Sequence, residues 1–400
     1  MESITERCTG CNACRMICPQ DAITMGEDEE GFYIPIINAL LCIDCGLCVK
    51  RCPQNQKPRF RRNEVLQVLG ARYKDDALLS KSASGGVFIG IATMILEQGE
   101  GAVFGCAFDE NFVAHHICVM DFKDIAPLQS SKYVQSDIGY TYSQAKLLLD
   151  RGKTVLFSAT PCQIAGLYAF LGKDYDRLFT IDLVCHGVPS PLLFKRYLDW
   201  LGKKYDGKII YYNFRCKEKI GWGLGYKTKI KARTKIKTKA GFAENDPYYS
   251  AFLKGSTYRE CCYYCKYANT NRIADLTTGD FWGIEQAHPQ FFDKRGISLC
   301  LVNTTKGEEL IAKGNNFELI NSSLANAVLK QWNLKSPTLR PDSRDTLKKL
   351  IGGMDIFNTP LFKIAYKIRI KSAIKTIIPS SIVRFIRILK IAIVAGNRKR

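Results

Sequence analysis

The basic C-terminal stretch, residues 361–400, has no charge-free run approaching the roughly eighteen residues that a helix needs to cross a bilayer. No apolar leader precedes Cys8 either, so the many cysteines are expected to work reduced, in the cytoplasm, rather than as exported disulfides. The glycine fingerprint G-x-G-x-x-G is missing too, and no dinucleotide site can be read from it. Acids are absent from two stretches: residues 227–239 hold seven Lys/Arg and residues 363–400 hold eleven, together eighteen of the net charge of +20. Neither spreads its charge over a folded face with interleaved stacking aromatics, so no nucleic-acid partner is expected. The composition, 46% hydrophobic and 24% charged, suits two or three globular domains with a sizeable core.

Cysteine is what the chain has in quantity. Of seventeen, eight repeat the pattern C-x2-C-x2-C-x3-C-P: Cys8, Cys11, Cys14, Cys18-Pro19 and then Cys42, Cys45, Cys48, Cys52-Pro53. Three closely spaced thiolates suit three corners of an iron-sulfur cubane, and a distant fourth before proline leaves for the neighbouring cluster. Cys8, Cys11, Cys14 and Cys52 are therefore expected to hold one 4Fe-4S cluster, and Cys42, Cys45, Cys48 and Cys18 a second. Zinc sites use two separated ligand pairs and disulfide frameworks belong to secreted chains, so neither fits. Residues 1–58 form the small ferredoxin-like domain, with Phe32-Tyr33-Ile34-Pro35 as a hairpin segment over the clusters, and Lys57–Asn63 reads as a basic linker.

Residues 64–345 read as an α/β (α+β) body with a mixed sheet. After a strand over Val65–Tyr73, Ser82-Ala83-Ser84-Gly85-Gly86 opens a helix from Val87, where free backbone N–H groups suit a phosphate; an ordinary helix cap is the competing reading. Strands are expected at Ala102–Phe108 and Val113–Met120, the latter holding His115 and His116 without metal-ligand spacing. Lys132 and Gln135 approach the next helix, where a flavin edge suits them as well as a surface turn does. Lys153–Ala159, Pro161–Leu171 and Leu178–Val184 make a βαβ unit, whose strands should be parallel. Its carboxyl ends carry Cys162 and Cys185-His186-Gly187 to one sheet edge, with Cys162 in a first helical turn where the dipole favours thiolate.

Cys262-x2-Cys265 is a ligand arm in search of partners, and Cys162 with Cys185 would complete a third cluster; Cys261 replaces Cys262 less well. The alternative is a lone reactive Cys162 beside a zinc-binding pair. Cys106, Cys118, Cys216 and Cys300 are expected to be inert buried thiols. The cations of Lys227–Lys239 alternate with Thr, Ile and Ala, which over one strand places them all on one face, either to dock an acidic carrier or to guard a solvated edge. Residues 346–400 form a basic tail in which Ile382, Phe385, Ile386, Leu389 and Ile393 share a helical face opposite Arg384, Arg387 and Lys390. Peripheral contact with an anionic inner membrane face through residues 361–400 and packing on protein are both open.

Ferredoxin-type clusters pass single electrons, so a downstream centre such as a flavin must convert them into hydride chemistry. Five ordered motifs point the same way: Ser82–Gly86, Ser131-Lys132-Tyr133-Val134-Gln135-Ser136, Thr160-Pro161-Cys162-Gln163, Asp182-Leu183-Val184-Cys185-His186-Gly187, and Cys262-x2-Cys265 leading to Gly279-Asp280-Phe281-Trp282-Gly283. From about Val65 to Asn303 they resemble the family of coenzyme F-420 hydrogenase/dehydrogenase beta subunits. The resemblance implies an FAD-binding iron-sulfur oxidoreductase, with Ser82, Ser84, Gly85, Gly86, Lys132 and Gln135 at the flavin. It also implies a third 4Fe-4S cluster on Cys162, Cys185, Cys262 and Cys265. Ferredoxin or another acidic carrier is the expected electron partner, and a deazaflavin or other small molecule the acceptor. His186 is a catalytic candidate by position only. Relatives that reduce other substrates, including members tied to polysaccharide biosynthesis, make a sugar-linked or membrane-associated substrate one alternative; a non-catalytic electron-transfer subunit is another.

Overall fold

The structure, a computed structural model, describes residues 7–55, 63–97, 99, 101–218, 220–314, 316–353 and 356–362. The expected linker at 57–62 and the amphipathic tail at 363–400 lie outside the described residues. In the N-terminal domain, α1 (Ala13–Ile17) follows the first run, β1 (Ile23–Glu27) and β2 (Tyr33–Ile37) pair as an antiparallel hairpin, and α2 (Leu47–Lys50) follows the second run. The two short helices start alike. Asn12 and Gly46 both sit at φ 68°, the left-handed turn that lets the second cysteine of each run face back toward the third.

The body opens with β3 (Gln67–Tyr73), α3 (Asp76–Lys81), α4 (Val87–Glu97), β4 (Gly101–Phe108), β5 (Ala114–Val119) and α5 (Thr141–Asp150). Then come β6 (Thr154–Ser158), α6 (Pro161–Leu171), β7 (Leu178–Leu183) and α7 (Pro191–Tyr205). Pro161 at the first helical position and a Thr160/Gln163 capping box start α6, and Gly172 at φ 68° ends it. The chain continues through β8 (Gly207–Asn213), β9 (Gly225–Ala232), β10 (Ile236–Phe242), α8 (Pro247–Leu253), β11 (Leu276–Asp280), α9 (Ile284–Ala287), β12 (Ser298–Val302), α10 (Thr305–Lys313) and β13 (Phe317–Ser322), and closes with α11 (Leu324–Lys330) and α12 (Ser343–Leu350).

Eight strands form one mixed sheet in the order β13-β3-β12-β11-β7-β6-β4-β5. Its centre, β11-β7-β6-β4, is parallel and the flanks are antiparallel, as the βαβ pattern requires for β6 and β7. Both faces are covered. Val87, Ile91 and Ile95 of α4 lie buried on one side; Ile164, Leu167 and Leu171 of α6 pack on the other with Phe104 and Phe157, whose rings stack at 5.2 Å. Each such side chain contributes about 1.5–3 kcal/mol on leaving water.

The basic segment departs from the single strand expected over Tyr226–Lys237. It is a hairpin, β9 and β10, completing a three-stranded sheet with β8. Lys237 pairs opposite Ile230 and Lys239 opposite Thr228, so these two lie on the other face from Lys227, Lys229 and Lys231. Lys237 donates to Tyr205 O at 3.0 Å, capping the last carbonyls of α7, and Lys239 stands over the Tyr205 ring. The body also continues past residue 345: α12 crosses that boundary, and Leu347, Ile351, Ile356, Phe357 and Phe362 join the core around α7. Among the described residues no helix is long and apolar enough to cross a membrane.

Candidate functional site

All four parallel strands deliver their carboxyl ends to one cavity of about 300 Å³. Cys106 comes from β4, Ser158 to Cys162 follow β6, Val184 to Val188 follow β7, and Thr278 to Asp280 end β11. Ligands collect at such an edge in open α/β sheets, because the chain must leave each strand there. The volume is at the lower bound of small-molecule sites, about 300–1,000 Å³.

Ser82, Ser84, Gly86, Lys132 and Gln135 line this cavity, and so do Val87 and Phe88 of the α4 N-terminus. Their hydrogen bonds refine the expectation. The Ser82 hydroxyl donates to Leu78 O at 2.9 Å and the Ser84 hydroxyl to Ile297 O at 2.8 Å, so both brace the loop. Gly85 is a correction: its N–H donates to the Ser298 hydroxyl, and a Cβ there would meet Ala71 O at 2.1 Å, which makes it a packing glycine rather than a phosphate cradle. Lys132 Nζ donates to Pro127 O and Gln129 O at 2.6 and 2.8 Å, and burial lowers its pKa to about 8. Gln135 spends its carboxamide on the N-terminal domain, accepting from Tyr33 N–H at 3.0 Å and donating to Thr9 O at 3.3 Å.

Arg215 and His116 line the cavity and Trp222 stands behind it, and none of the three was expected there from the sequence. Arg215 makes a bidentate pair with Asp280, at 2.6 and 2.7 Å, and donates to Ala83 O at 2.8 Å, so it fixes the Ser82–Gly86 loop from across the sheet. The Trp222 indole donates to the same carboxylate at 2.6 Å, and Trp222 stacks on Trp282 with ring centroids 5.0 Å apart. Burial, opposed by bonding to Ser158 O, pulls His116 down to about 4. The Nε of Arg215 and Nδ1 of His116 are buried without a protein partner, and both residues line the cavity, as expected of a site shaped for a polar ligand. His186 also lines the wall; its ring reaches solvent, and the surrounding protein lowers its pKa against the pull of Asp280.

The body thiols come together. Cys162 lies within electrostatic reach of Cys265, Cys185 and Cys261, and Cys262 within reach of Cys261, Cys185 and Cys265. Burial pushes Cys162 well above its ordinary value despite Thr160, whose hydroxyl lies 3.2 Å from the sulfur, so the helix dipole does not make it a free thiolate. Burial raises Cys185 to about 12, and Arg272, anchored on Asp182 at 2.9 Å, opposes this at both Cys185 and Cys265. Among the described residues no three His, Cys, Asp or Glu converge as ligands of a single ion. Four buried thiols beside a cation are a donor set whose chemistry fits an iron-sulfur cluster.

In the N-terminal domain, Cys8, Cys11, Cys14 and Cys52 interact electrostatically and line one small cavity, together with Cys48 of the other expected set, Met25 and Pro35. Burial, then the charges of Cys8 and Cys52, push Cys11 up to about 12, and Gly10 N–H points at Cys8 Sγ at 3.4 Å. Cys42, Cys45 and Cys48 form the second group; Cys18 receives Ala22 N–H at 3.3 Å. The domain is clamped to the body. Arg259 donates to Cys8 O at 2.7 Å and Tyr33 O at 2.9 Å, Lys266 to Pro53 O, and Arg344 pairs bidentately with Glu30 at 2.6 and 2.9 Å.

Comparison with known proteins agrees with this division. Residues 152–325 match the family described as the C terminus of the beta subunit of coenzyme F420 hydrogenase/dehydrogenase. Residues 7–56 match the 4Fe-4S dicluster domain. Over 167 residues the chain is 28% identical to the F subunit of F(420)H(2) dehydrogenase from Methanosarcina mazei, covering 39% of this chain and 46% of that protein. Over 210 residues it is 25% identical to an uncharacterized protein of Methanocaldococcus jannaschii, covering 44% of this chain and 55% of that one. The chain thus spans about half the length of these curated relatives. A chain of the F420-reducing NiFe hydrogenase complex from Methanosarcina barkeri aligns at TM-score 0.45 and 17% identity over 72% of this chain and 91% of that chain. The protein therefore carries an N-terminal 4Fe-4S dicluster domain and, across residues 152–325, a stretch that matches the C-terminal part of coenzyme F420 hydrogenase/dehydrogenase beta subunits.

Proposed function

We propose that the protein is a cytoplasmic iron-sulfur flavoprotein oxidoreductase that moves electrons between its N-terminal clusters and an FAD in the central cavity. The observation that carries this reading is the position of Thr9. It lines both the small cavity of Cys8, Cys11, Cys14 and Cys52 and the large cavity at the sheet edge, so the two sites share a wall. A flavin, when bound, exchanges single electrons on one side and a hydride on the other.

The chain's own residues would hold it. Backbone N–H groups at Val87 and Phe88 and the positive end of α4 favour a phosphate beside Ser84 and Gly86. Lys132, pinned by carbonyls, adds positive charge that cannot swing away, and Arg215 keeps the loop in place through Ala83 O. Cys162, Cys185, Cys262 and Cys265 would hold a third 4Fe-4S cluster, the first two of them from the cavity wall. The family match and the dehydrogenase relative support a deazaflavin coenzyme as the acceptor or donor of the hydride, with a ferredoxin-like protein at the other end.

Anaerobic purification with iron, sulfide and flavin analysis tests the scheme. About twelve irons and one FAD per chain are expected, four irons per cluster. About eight irons would remove the body cluster. Protein loaded with iron but free of flavin would overturn the flavoprotein reading in favour of an electron-transfer subunit.

A further inference from the structure

The outward half of the dicluster domain presents an unusual surface. Of all the cysteines, Cys45 alone is exposed. The loop that carries it, residues 38–49, also carries Leu40 at 96% exposure, Ile43 at 60%, Leu41 at 49% and Val49 at 40%. These side chains are held in water by design of the loop. Asn38 accepts Leu40 N–H on its side chain at 3.0 Å and Leu41 and Cys42 N–H on its carbonyl at 3.2 and 3.1 Å, and Asp44 and Gly46 take positive φ to complete the turn. Leaving several large aliphatic side chains exposed forgoes the stabilisation that their burial would return. Large exposed apolar side chains gathered on one loop mark a contact surface.

Charge decides what fits it. Within residues 38–49 the only ionisable side chain besides cysteine is Asp44, and Lys50 follows directly, so the patch is close to neutral. Residues 1–58 carry eight acids against five Lys/Arg, which disfavours approach by an acidic carrier. On the basic hairpin Lys237 is held by Tyr205 O and Lys239 stands over the Tyr205 ring, while Lys227, Lys229 and Lys231 lie on the other face, away from the cysteine runs in sequence. Meanwhile the other cysteine run is covered by the body, leaving Cys42, Cys45 and Cys48 as the thiols that face outward.

We propose that the loop Asn38–Val49 is the docking surface for a ferredoxin-type redox protein that meets it with an apolar face, so that the electron partner is selected by hydrophobic contact rather than by charge. The proposal rests on the electron route given above. The step at this surface is the passage of one electron between two metal centres, with no bond made or broken. Small electron-transfer interfaces bury less than about 1,200 Å², which a few central aliphatic anchors can dominate.

The test uses the full chain, anaerobic and cluster-loaded, mixed in a stopped-flow instrument with two reductants: methyl viologen radical and a reduced two-cluster ferredoxin. Bleaching of the N-terminal clusters by ferredoxin is expected to fall at least about tenfold in Leu40→Glu and in Leu41→Glu, equivalent to about 1.4 kcal/mol. Leu40→Ser should fall less, and viologen rates should stay within about twofold. Wild-type ferredoxin rates should change little between low and high salt. Unchanged ferredoxin rates in both Glu variants, or a wild-type rate that collapses with salt, would overturn the proposal, as would a dimer that Leu40→Glu dissolves without altering electron entry. If the clusters accept electrons normally but pass none to bound flavin, the electron route fails while the docking result stands.

Discussion

The two cysteine runs match in spacing and share the left-handed turn at Asn12 and Gly46, yet they meet opposite surroundings. The first run is roofed by the body: Gly166 of α6 lies so close that a Cβ there would sit 3.0 Å from Cys11 Cβ, and Arg259 holds Cys8 O. The second sits in a loop whose leucines face water. Local pattern therefore sets ligation, while tertiary contact sets direction, with one site turned inward and one outward.

Removing a thiolate from each run is the strongest way to probe that difference. Cys11→Ser is expected to lose about four irons and to unfold the docked domain, because its buried cavity has no solvent to fall back on. Cys45→Ser should cost one cluster too but lower the melting temperature less; equal losses would erase the distinction. Arg344→Ala comes next. It leaves Glu30 uncompensated at the domain junction and should cost about 3–5 kcal/mol in urea unfolding, whereas Lys50→Ala on the outward side should stay within about 0.5 kcal/mol.

Acidification is expected to weaken the cavity and not the outward loop. His116 has its pKa lowered from 6.5 to about 4. Between those values the unfolded chain binds the proton and the folded one does not, so stability falls as pH drops through that window, by up to roughly 3 kcal/mol. The urea midpoint of His116→Gln should lose much of that slope. Gly166→Ala ranks last, at about 1–3 kcal/mol from overpacking against Tyr142 and Cys11, and it should slow electron transfer out of the first run without touching iron content.

Much of this architecture was legible in advance, for identifiable reasons. The βαβ unit announces itself through Pro161, the Thr160/Gln163 box and Gly172, all local signals. The β9–β10 hairpin does not. Its turn, Arg233-Thr234-Lys235, has no Gly, Pro, Asn or Asp, and the cation at every second residue continues straight through it. Arg215 and Asp280 are 65 residues apart, so their pairing exists only in the folded sheet. Gly85 and Gln135 were visible as residues, but what each bonds to belongs to strands and a domain far along the chain.

The clamp between the domains has a consequence for how the protein can change over time. Gln135 and Arg259 grip Tyr33 at its N–H and its carbonyl, and they also take Thr9 O and Cys8 O; Lys266 takes Pro53 O. All of these are main-chain atoms, which every residue type except proline presents alike. On the ferredoxin side this part of the junction reads the path of the backbone and is blind to the side chains along it. Side chains at those positions are free to drift, whereas a different dicluster module grafted in would still have to supply the acid that meets Arg344 and side chains that reach the body as Asn12 reaches Gly139 O and Arg51 reaches Ala169 O.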